Sequence, residues 1–551
     1  MENERVLPTQ EAIGTERRRN LPFLGWLFAQ ADGSSCVFFR VAFGALLAAW
    51  AWDYLDTGRV KELYMDPGFN FSYFGFEWVR PWPDNGMLIH FVAMFVLAIC
   101  IAAGCCYRLA SFLFAAAFTY VFLLDRTNYQ NHYYLIGLIS WWLPWMPLNR
   151  CVAVDAWIWP ETRIQTVPGW TLWMLRFHIA LPYFFGGIAK INSDWLQGEP
   201  IAQMLASKSN LPFIGGLLAN ESTAVLFAWA AMLFDLFVVP MLLWKRTQAV
   251  AYGLCIVFHL MNAVVFNIHV FPWFMMVASL LFFASDWPRR VLGGSPLDFT
   301  QLDSGVTGRS IQRNLALTFM GCYVGFHCVW PLRHHAYPGD AGWNERGHYF
   351  AWRMMLRGKS VVLGYAVKDQ VSGKVVDGKI NRFINSEQSD KFGRDPEMIL
   401  QLAHFLGEDY RTSTGNTAAV YALVLASFNG RKPELMIDPN VDLMKEVRGF
   451  HHRDWIMPQT EPLRRPAWNL PPEQWRQHVD IPDLRFLSKS REGTSSLERM
   501  SRRNLLCRWQ VAVRHIQTQH SETQHSETQH SETQHSETQL FVSHNSENEH
   551  L

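Results

Sequence analysis

The feature that most constrains the fold is a series of long apolar runs between residues 36 and 332. This part of the chain is crowded with Phe, Leu, Ala and Trp, whereas residues 333–551 have the composition of a soluble protein. A helix needs about 20 mostly apolar residues to cross a bilayer, and several of the runs approach that length. The 24 Trp residues of the chain fit this pattern, because Trp gathers at membrane–water interfaces. The sequence therefore predicts a polytopic α-helical membrane bundle followed by an extracytoplasmic, strand-rich α+β domain.

Nine apolar runs are candidate membrane spans, although several are short for a bilayer crossing. The seventh and eighth runs could instead form one re-entrant hairpin, so the predicted count is eight or nine spans. We expect no cleaved signal peptide, because the N-terminus is polar up to Asn20 and its first apolar run extends into a full span. The candidate spans are Val37–Tyr54, Met87–Cys106, Leu109–Leu124, Tyr133–Leu148, Trp170–Ala189, Thr223–Trp244, Ala249–Phe266, Val270–Ala284 and Asn314–Leu332.

Positive charge predicts the orientation of the spans. Arg17–Arg19 precede the first span, and further basic residues recur in every second loop, which assigns these loops to the cytoplasm. Loops 69–83, 125–132 and 190–221 would then lie on the opposite side, together with the chain after the last span. The other basic residues of the cytoplasmic loops are Arg108, Arg150, Arg163, Lys245, Arg246, Arg289, Arg290, Arg309 and Arg313.

The chain is thus predicted to contain four segments. Residues 1–33 form a cytoplasmic N-terminal segment, 34–332 a transmembrane helical domain and 333–484 an extracytoplasmic β-rich domain. Residues 485–551 form a low-complexity tail that includes four copies of His-Ser-Glu-Thr-Gln. A polar repeat of this kind cannot bury a core, so we expect the tail to be disordered and assign it no function.

Two paired strands are predicted early in the β-rich domain. Val361–Lys368 and Lys374–Ile380 have strand composition, and the turn-forming residues 369–373 separate them. Asp395-Pro396 then predicts a helix start, with an N-cap followed by proline at the first position, and Gly407 is its predicted end.

A hairpin is predicted next. Ala419–Phe428 is a strong candidate strand, and Asn429-Gly430 is a hairpin turn signal that leads into Glu434–Ile437. These elements predict a small strand-rich domain that ends near Pro482.

Lys190 is the first candidate functional residue. It ends the apolar run that begins at Trp170, and a lysine at the rim of a span is costly to bury and can become a base. The alternative is a lysine that extends to the interface and only anchors the helix. Gly186-Gly187 favour a functional role, because small residues let another helix or a flat ligand approach. Tyr183 lies on the same helix face as Lys190.

Two further groups of polar residues lie in or beside apolar runs. Asn131-His132 enter a predicted helix directly, although the preceding residues from Asp125 could form only a loop. His259 lies inside an apolar run, where histidines usually face a bundle interior or a cavity. Asp235 is the most costly of these residues, and it needs a cationic or hydrogen-bonding partner unless it is protonated.

An aromatic segment with basic residues follows the last predicted span, between Trp343 and Met355. Its aromatic residues, which include Trp352, could form an interfacial belt. Arg353 among them could equally bind a carboxylate. We keep Trp343, Trp352, Arg353 and Met355 as candidate substrate-binding residues.

Several common mechanisms lack their sequence signals. No dinucleotide, Walker, HExxH or nucleophile-elbow motif stands where it would be functional, and the nine cysteines show no metal-like CxxC pairs. Net charge is near zero, so the sequence does not point to nucleic acid. A transporter is expected to contain inverted repeats, and the sequence shows no internal symmetry between its two membrane halves.

Seven short motifs occur in an order that resembles the vitamin K-dependent γ-glutamyl carboxylase family, which has a membrane domain often called horizontally transferred. The resemblance runs from about residue 30 to residue 482. The motifs are Cys106–Arg108, Tyr120–His132, Gly187–Trp195, Phe258–Asn262, Ser285–Arg289, Trp352–Met355 and Phe428–Asp442.

The resemblance implies a reaction and a set of residue roles. Vitamin K hydroquinone would be oxidised by O2 to the epoxide, and the base so formed would remove a γ-proton from a peptide glutamate, which then takes up CO2. Lys190 would be the base that deprotonates the hydroquinone, as a neutral amine with little counter-charge around it. His132 would support carboxylation. The residues with implied positioning roles are Asp125, Asn131, Tyr183 and His259.

The resemblance also implies partners and alternatives. The partners would be a glutamate-containing peptide or protein and membrane lipid, without nucleic acid and without a metal. The protein would lie in the cytoplasmic membrane of a bacterium or the endoplasmic reticulum of a eukaryote. Ala189 replaces the first of two adjacent lysines in animal members, and their bridging cysteine is absent. A membrane quinol epoxidase without carboxylation, or a non-catalytic lipid- or quinone-binding protein, remains an alternative.

Overall fold

The computed structural model describes residues 27–210, 215–266, 270–295, 297, 310–450, 453–482 and 484. The predictions for Arg17–Arg19 and for the repeat-bearing tail 485–551 lie outside the described residues. The chain divides into two compact units. The first contains the described residues up to Asp66 and Gly75–Leu356, and the second contains Pro67–Phe74 and the described residues from Arg357 onward. The domain boundaries that we predict from the sequence, 34–332 and 333–484, are not tested by this division and stay a prediction.

The first unit is helical. Its principal helices form where the apolar runs predicted them, and two short strands, β1 (Gln30–Asp32) and β2 (Thr166–Pro168), pair antiparallel beside them. The principal helices are α1 (Ser34–Asp56), α2 (Gly86–Ala103), α3 (Tyr107–Leu124), α4 (Asn131–Trp142), α5 (Gly169–Ala189), α6 (Glu221–Leu243), α7 (Gln248–Phe266), α8 (Phe271–Ser279) and α9 (Ser310–Val329). Shorter helices are Arg59–Tyr64, Val154–Ile158, Ser193–Leu196, Ile201–Ala206, Gly215–Leu218, Trp287–Val291 and Ala341–Asn344.

Six helical stretches within the described residues are long and apolar enough to cross a membrane. They comprise α1, α2, α3, α5, α6 and a stretch over Asn314–Ala336 that contains most of α9. The predicted helical membrane architecture is therefore confirmed. The count of eight or nine spans is not, because α4 has 12 residues and the apolar parts of α7 and α8 are also short. That count stays a prediction.

Close helix contacts and one buried arginine organise the first unit. Gly44 of α1 lies against the backbone of α2, where an added Cβ atom would come within 2.6 Å of the Ala102 nitrogen. Arg40, almost fully buried, donates hydrogen bonds to the carbonyl oxygens of Leu148 at 2.7 Å and Val152 at 2.7 Å. The buried guanidinium thus satisfies backbone carbonyls of the segment that follows α4.

The second unit contains a four-stranded antiparallel sheet. Its strands lie in the order β4 (Val375–Asp377), β3 (Lys359–Asp369), β5 (Ala418–Phe428) and β6 (Glu434–Leu435). Strand β3 (Lys359–Asp369) pairs along its whole length with β5 (Ala418–Phe428) and at its end with β4 (Val375–Asp377). The predicted pairing across residues 369–373 is therefore confirmed. At that turn, backbone N–H groups, that of Ser372 first, hold the pKa of Asp369 well below its usual range.

The predicted turn at Asn429-Gly430 is also confirmed. Both residues have positive φ values, 48° and 74°, as the central residues of a type I′ turn do, and the Arg431 N–H donates a hydrogen bond to the Phe428 carbonyl across them. The chain then returns as β6 (Glu434–Leu435), which pairs with β5, and Ile437 forms a further bridge to Ile456.

The helix predicted from Asp395 begins where expected but ends later. Asp395 accepts a hydrogen bond from the Glu397 N–H, and α11 (Pro396–Thr414), which follows α10 (Ser386–Phe392), continues to Gly415, whose φ is 79°. The predicted end at Gly407 is wrong. Gly407 is buried against the Met444 side chain, so close packing explains this glycine. A last helix spans Pro472–His478.

Candidate active site in the helical unit

Lys190 lies at the C-terminal end of α5 with its side chain inside the bundle. Its backbone N–H continues the helical bonding to Gly186 and Gly187, and the residue is 5% exposed. The Nζ atom lies 2.6 Å from the Asp235 Oδ2 atom on α6 and 3.3 Å from the Gly186 carbonyl oxygen. It also lies 5.2 Å from the centroid of the Trp195 ring. This amine is directed to a carboxylate within the unit, unlike a lysine that extends to the interface.

The ion pair corrects one expectation and meets another. A neutral Lys190 was expected to have little counter-charge around it, and this is wrong, because Asp235 is in direct contact. Asp235 was expected to need a cationic or hydrogen-bonding partner, and Lys190 is that partner. The separation of 45 positions between the two residues explains why neither the spacing nor the composition could pair them. The sequence signal was the position of Asp235 inside an apolar run.

The two glycines before Lys190 have separate structural roles. A Cβ atom added at Gly187 would come within 2.8 Å of the Leu236 side chain and 3.0 Å of its backbone nitrogen. The expected close approach of another helix is therefore observed at Gly187, where α5 meets α6. A Cβ atom added at Gly186 would lie 3.0 Å from the Met354 Cε atom, 3.3 Å from Asp235 Oδ2 and 3.7 Å from Lys190 Nζ. Gly186 therefore leaves the space in which the ion pair forms.

Tyr183 and His259 form a second buried polar group. The Tyr183 hydroxyl lies 2.7 Å from His259 Nε2, 3.4 Å from Ser279 Oγ and 3.9 Å from Cys255 Sγ. Tyr183 on α5 and His259 on α7, both predicted site residues, are thus brought together. The His259 Nδ1 atom is buried and has no hydrogen-bond partner within the described residues. A buried nitrogen of this kind is available to a ligand oxygen.

His132 lies in the first turn of α4 and joins this region through an aromatic ring. Its imidazole stacks on Phe271, with ring centroids 5.2 Å apart, and the same Phe271 ring lies 6.1 Å from the His259 ring. The centroid of the His132 ring also lies 4.6 Å from that of the neighbouring Tyr133 ring. The sequence did not assign a role to Phe271, which lies between the two predicted histidines.

Asp125 and Asn131 shape the turn that presents His132. Asp125 Oδ1 accepts hydrogen bonds from the Thr127 N–H at 2.8 Å and hydroxyl at 2.6 Å. Asn131 Oδ1 accepts a hydrogen bond from the Tyr129 hydroxyl at 3.1 Å. These contacts hold the backbone between α3 and α4, and the implied positioning roles of Asp125 and Asn131 in the reaction stay a prediction.

The candidate substrate-binding residues lie on a backbone of unusual conformation. Four residues other than glycine between positions 345 and 355 have φ values of 56–60°, a region that such residues rarely adopt. This conformation costs about 1–3 kcal/mol per residue and persists only where the surrounding structure imposes it, often at functional sites. The residues are Glu345, Phe350, Trp352 and Met355.

This segment reaches the Lys190 end of α5. Met354 lies against Gly186, and Met355 packs against a buried cluster that includes Ala189 and Trp195. The sequence marked Met354 only as part of a motif, because a tertiary contact of this range has no local signal.

The other predicted residues of the segment make different contacts. Trp352 is fully buried, with its ring 5.0 Å from that of Tyr134. Arg353 Nη2 lies 4.0 Å from Asp340 Oδ1, and Trp343 is buried in the short helix Ala341–Asn344. These contacts do not test binding to a peptide, so that assignment stays a prediction.

The arrangement combines one buried amine–carboxylate pair with histidine and tyrosine groups separated by apolar side chains. It can exchange a proton with a weakly acidic hydroxyl and bond an oxygen at His259, in surroundings that exclude water. Both properties suit a flat, apolar molecule with a reactive hydroxyl. Within the described part of the chain, no group of three or more His, Cys, Asp or Glu side chains is arranged to hold a metal ion.

Comparison with known proteins gives two matches along the chain. Residues 28–287 match the family model described as the HTTM domain. Residues 312–462 match the model described as the vitamin K-dependent gamma-carboxylase, lumenal domain. No solved structure matches the chain.

Proposed function

We propose that this chain, which belongs to the vitamin K-dependent γ-carboxylase family, couples the oxidation of vitamin K hydroquinone to the γ-carboxylation of peptide glutamate. The chain is an integral membrane protein, and membrane placement suits a quinone with a lipid tail. The single observation that carries the proposal is the Lys190 amine, buried 2.6 Å from Asp235 in a helical unit rich in aromatic residues. A buried amine is the kind of group that can act as a base near neutral pH.

Lys190 would begin the reaction by taking a proton. The bound hydroquinone supplies the reducing equivalents, with O2 and CO2 as co-substrates. Lys190 Nζ would accept the proton of a hydroquinone hydroxyl and His259 Nδ1 would bond to an oxygen of the same molecule, while Tyr183 holds the His259 ring through Nε2. The apolar contacts of Met354 and Phe271 keep water away from these groups.

The carboxylation step would depend on His132 and on the segment after α9. His132 stacks on Phe271, which also lies near His259, so we assign His132 to the glutamate reaction and Lys190 to the hydroquinone. Arg353 would bind a glutamate carboxylate, and Trp343, Trp352 and Met355 would contact the apolar part of the peptide. This division gives the two half-reactions different residues.

Purified protein tests the proposal directly. We would supply reduced vitamin K, O2, labelled bicarbonate and a glutamate-containing peptide, and measure vitamin K epoxide and labelled peptide in the same reaction. We expect both products, with labelled peptide formed only when the hydroquinone is present. Epoxide without labelled peptide would identify a quinol epoxidase, and neither product would indicate a non-catalytic binding protein.

A further inference from the structure

The Lys190–Asp235 pair is buried on both sides. The two side chains are 6% and 5% exposed, and the pair joins the end of α5 to the middle of α6. Removing two charges from water costs several kcal/mol per ion, so a buried pair is a poor way to gain stability. Because this pair adds little stability to the contact between the two helices, stability does not explain its presence. Its place beside the proposed base suggests a role in the reaction.

The hydrogen bonds of the amine supply that explanation. A neutral lysine amine has two N–H groups and one lone pair, whereas an ammonium has three N–H groups and none. Two acceptors surround Nζ, the Asp235 carboxylate at 2.6 Å and the Gly186 carbonyl at 3.3 Å. No third acceptor for Nζ is found within the described residues. The neutral amine would therefore have both N–H groups bonded and its lone pair directed away from both acceptors.

Packing holds the pair in this geometry. The Lys190 side chain turns back toward its own helix, and an added methyl group at Gly186 would contact both members of the pair. Met354 closes the third side of the same space. Little space is therefore free beside the pair, and both side chains are almost fully buried.

We propose that Asp235 is a positioning residue that makes Lys190 a stronger base. Asp235 and the Gly186 carbonyl hold the two N–H groups of the neutral amine, and Asp235 is the counter-ion of the ammonium formed by proton transfer. This inference rests on the proposed function, because it assigns Asp235 a part in the same deprotonation.

The step balances in atoms and charge. The hydroquinone O–H bond breaks and its electron pair stays on oxygen, while a new N–H bond forms on Lys190 Nζ. Before the transfer, the only charge among Lys190, Asp235 and the hydroquinone is that of the Asp235 carboxylate. Afterward the ammonium lies against that carboxylate and the new negative charge lies on the hydroquinone oxygen. A nearby negative charge favours the protonated amine, so Asp235 drives the transfer.

Other titratable groups lie close enough to be considered. Tyr183 and Cys255 are within electrostatic reach of the Asp235 carboxylate, and His259 bonds to Tyr183. The short contact to Asp235 makes it the dominant charge at Nζ. A change at Asp235 should therefore alter the protonation of Lys190 more than a change at any of these groups.

The test measures the protonation of Lys190 without relying on turnover. Only the neutral amine reacts with an apolar arylating reagent such as fluorodinitrobenzene, so the extent of Lys190 modification against pH, read by mass spectrometry, titrates this amine. In Asp235→Asn, which keeps the shape but removes the charge, we expect half-modification at a pH lower by about one unit or more. Asp32→Asn, which removes the carboxylate partner of Arg289 in the same unit, is the matched control and should leave the Lys190 titration unchanged.

A second variant protects the test against misfolding of the first. Gly186→Ala retains both charges but pushes the pair apart, so it should lower the half-modification pH in the same direction by a smaller amount. An unchanged titration in folded Asp235→Asn, or in Gly186→Ala if Asp235→Asn does not fold, would overturn the inference.

Turnover separates this inference from the proposed function. In Asp235→Asn we expect the acid limb of epoxide formation to move to lower pH, because the amine loses its proton more easily. The maximal kcat should fall by about tenfold or more, because the base is weaker, with little change in the KM for hydroquinone. If the wild-type protein makes no epoxide but the Lys190 titration still shifts in Asp235→Asn, only the proposed function is refuted. If the wild-type protein makes epoxide but the Lys190 titration does not shift in Asp235→Asn, only the role of Asp235 is refuted.

Discussion

At the scale of single residues, the candidate site depends on polar groups that the fold isolates from water. Lys190, Tyr183 and His259 are buried, and each bonds to another polar side chain. His132 is also buried, and its ring stacks on Phe271 and lies against Tyr133. Stacking on Phe271 contributes to holding the plane of the imidazole ring.

His132 provides a prediction that separates the two half-reactions. His132→Ala should reduce peptide carboxylation more than hydroquinone epoxidation, because the Lys190–Asp235 pair does not include this residue. His132→Phe keeps a ring that can stack on Phe271 but removes both nitrogens, and it should show the same selective loss. Measurement of epoxide and labelled peptide in parallel tests this role. Equal loss of both products, or full carboxylation by His132→Phe, would contradict it.

At the scale of helices and strands, local signals predicted where elements begin and long-range packing decided where they end. Asp395-Pro396 started α11 as predicted, because an N-cap and a first-turn proline act within a few residues. Gly407 did not end it, and the contact that this glycine makes with Met444, distant in sequence, had no local signal. In the same way, Lys190 and Asp235 were each recognisable from composition, but only the crossing of α5 and α6 could pair them.

The crossing of α5 and α6 gives a stability prediction. Gly187→Ala would place a methyl group against the backbone of α6 at Leu236, which cannot move independently of the helix. We expect destabilisation of about 1–3 kcal/mol from overpacking, measured as a lower thermal unfolding midpoint in detergent. Gly253→Ala on α7 is the matched control, because an added Cβ atom there would meet nothing within 4 Å. Equal midpoints for Gly187→Ala and Gly253→Ala would refute the close crossing.

At the scale of the whole molecule, the path of the chain restricts the membrane topology. The segment Pro67–Phe74, which follows α1, is part of the second unit, and so is the chain from Arg357, which follows α9. Both segments must then lie on the side of the membrane at which α1 ends. We therefore propose an odd number of crossings between α1 and α9, which favours nine spans over eight.

The orientation of the second unit can be measured. A tag placed after Pro482 should be inaccessible to reagents confined to the cytoplasm, because the basic loops predict that the second unit is extracytoplasmic. A tag in the loop at Lys245-Arg246 is the control and should be labelled from the cytoplasm. Labelling of the Pro482 tag from the cytoplasm would overturn this orientation.

The most direct test of the central claim is the rate of vitamin K hydroquinone epoxidation by Lys190→Ala, compared with that of Lys208→Ala. Lys208 is an exposed lysine in the same predicted loop, so the pair of variants separates loss of a specific amine from loss of a positive charge. We predict that Lys190→Ala forms no epoxide, while Lys208→Ala retains the wild-type rate. Continued epoxide formation by folded Lys190→Ala would show that another group deprotonates the hydroquinone and would contradict the proposed mechanism.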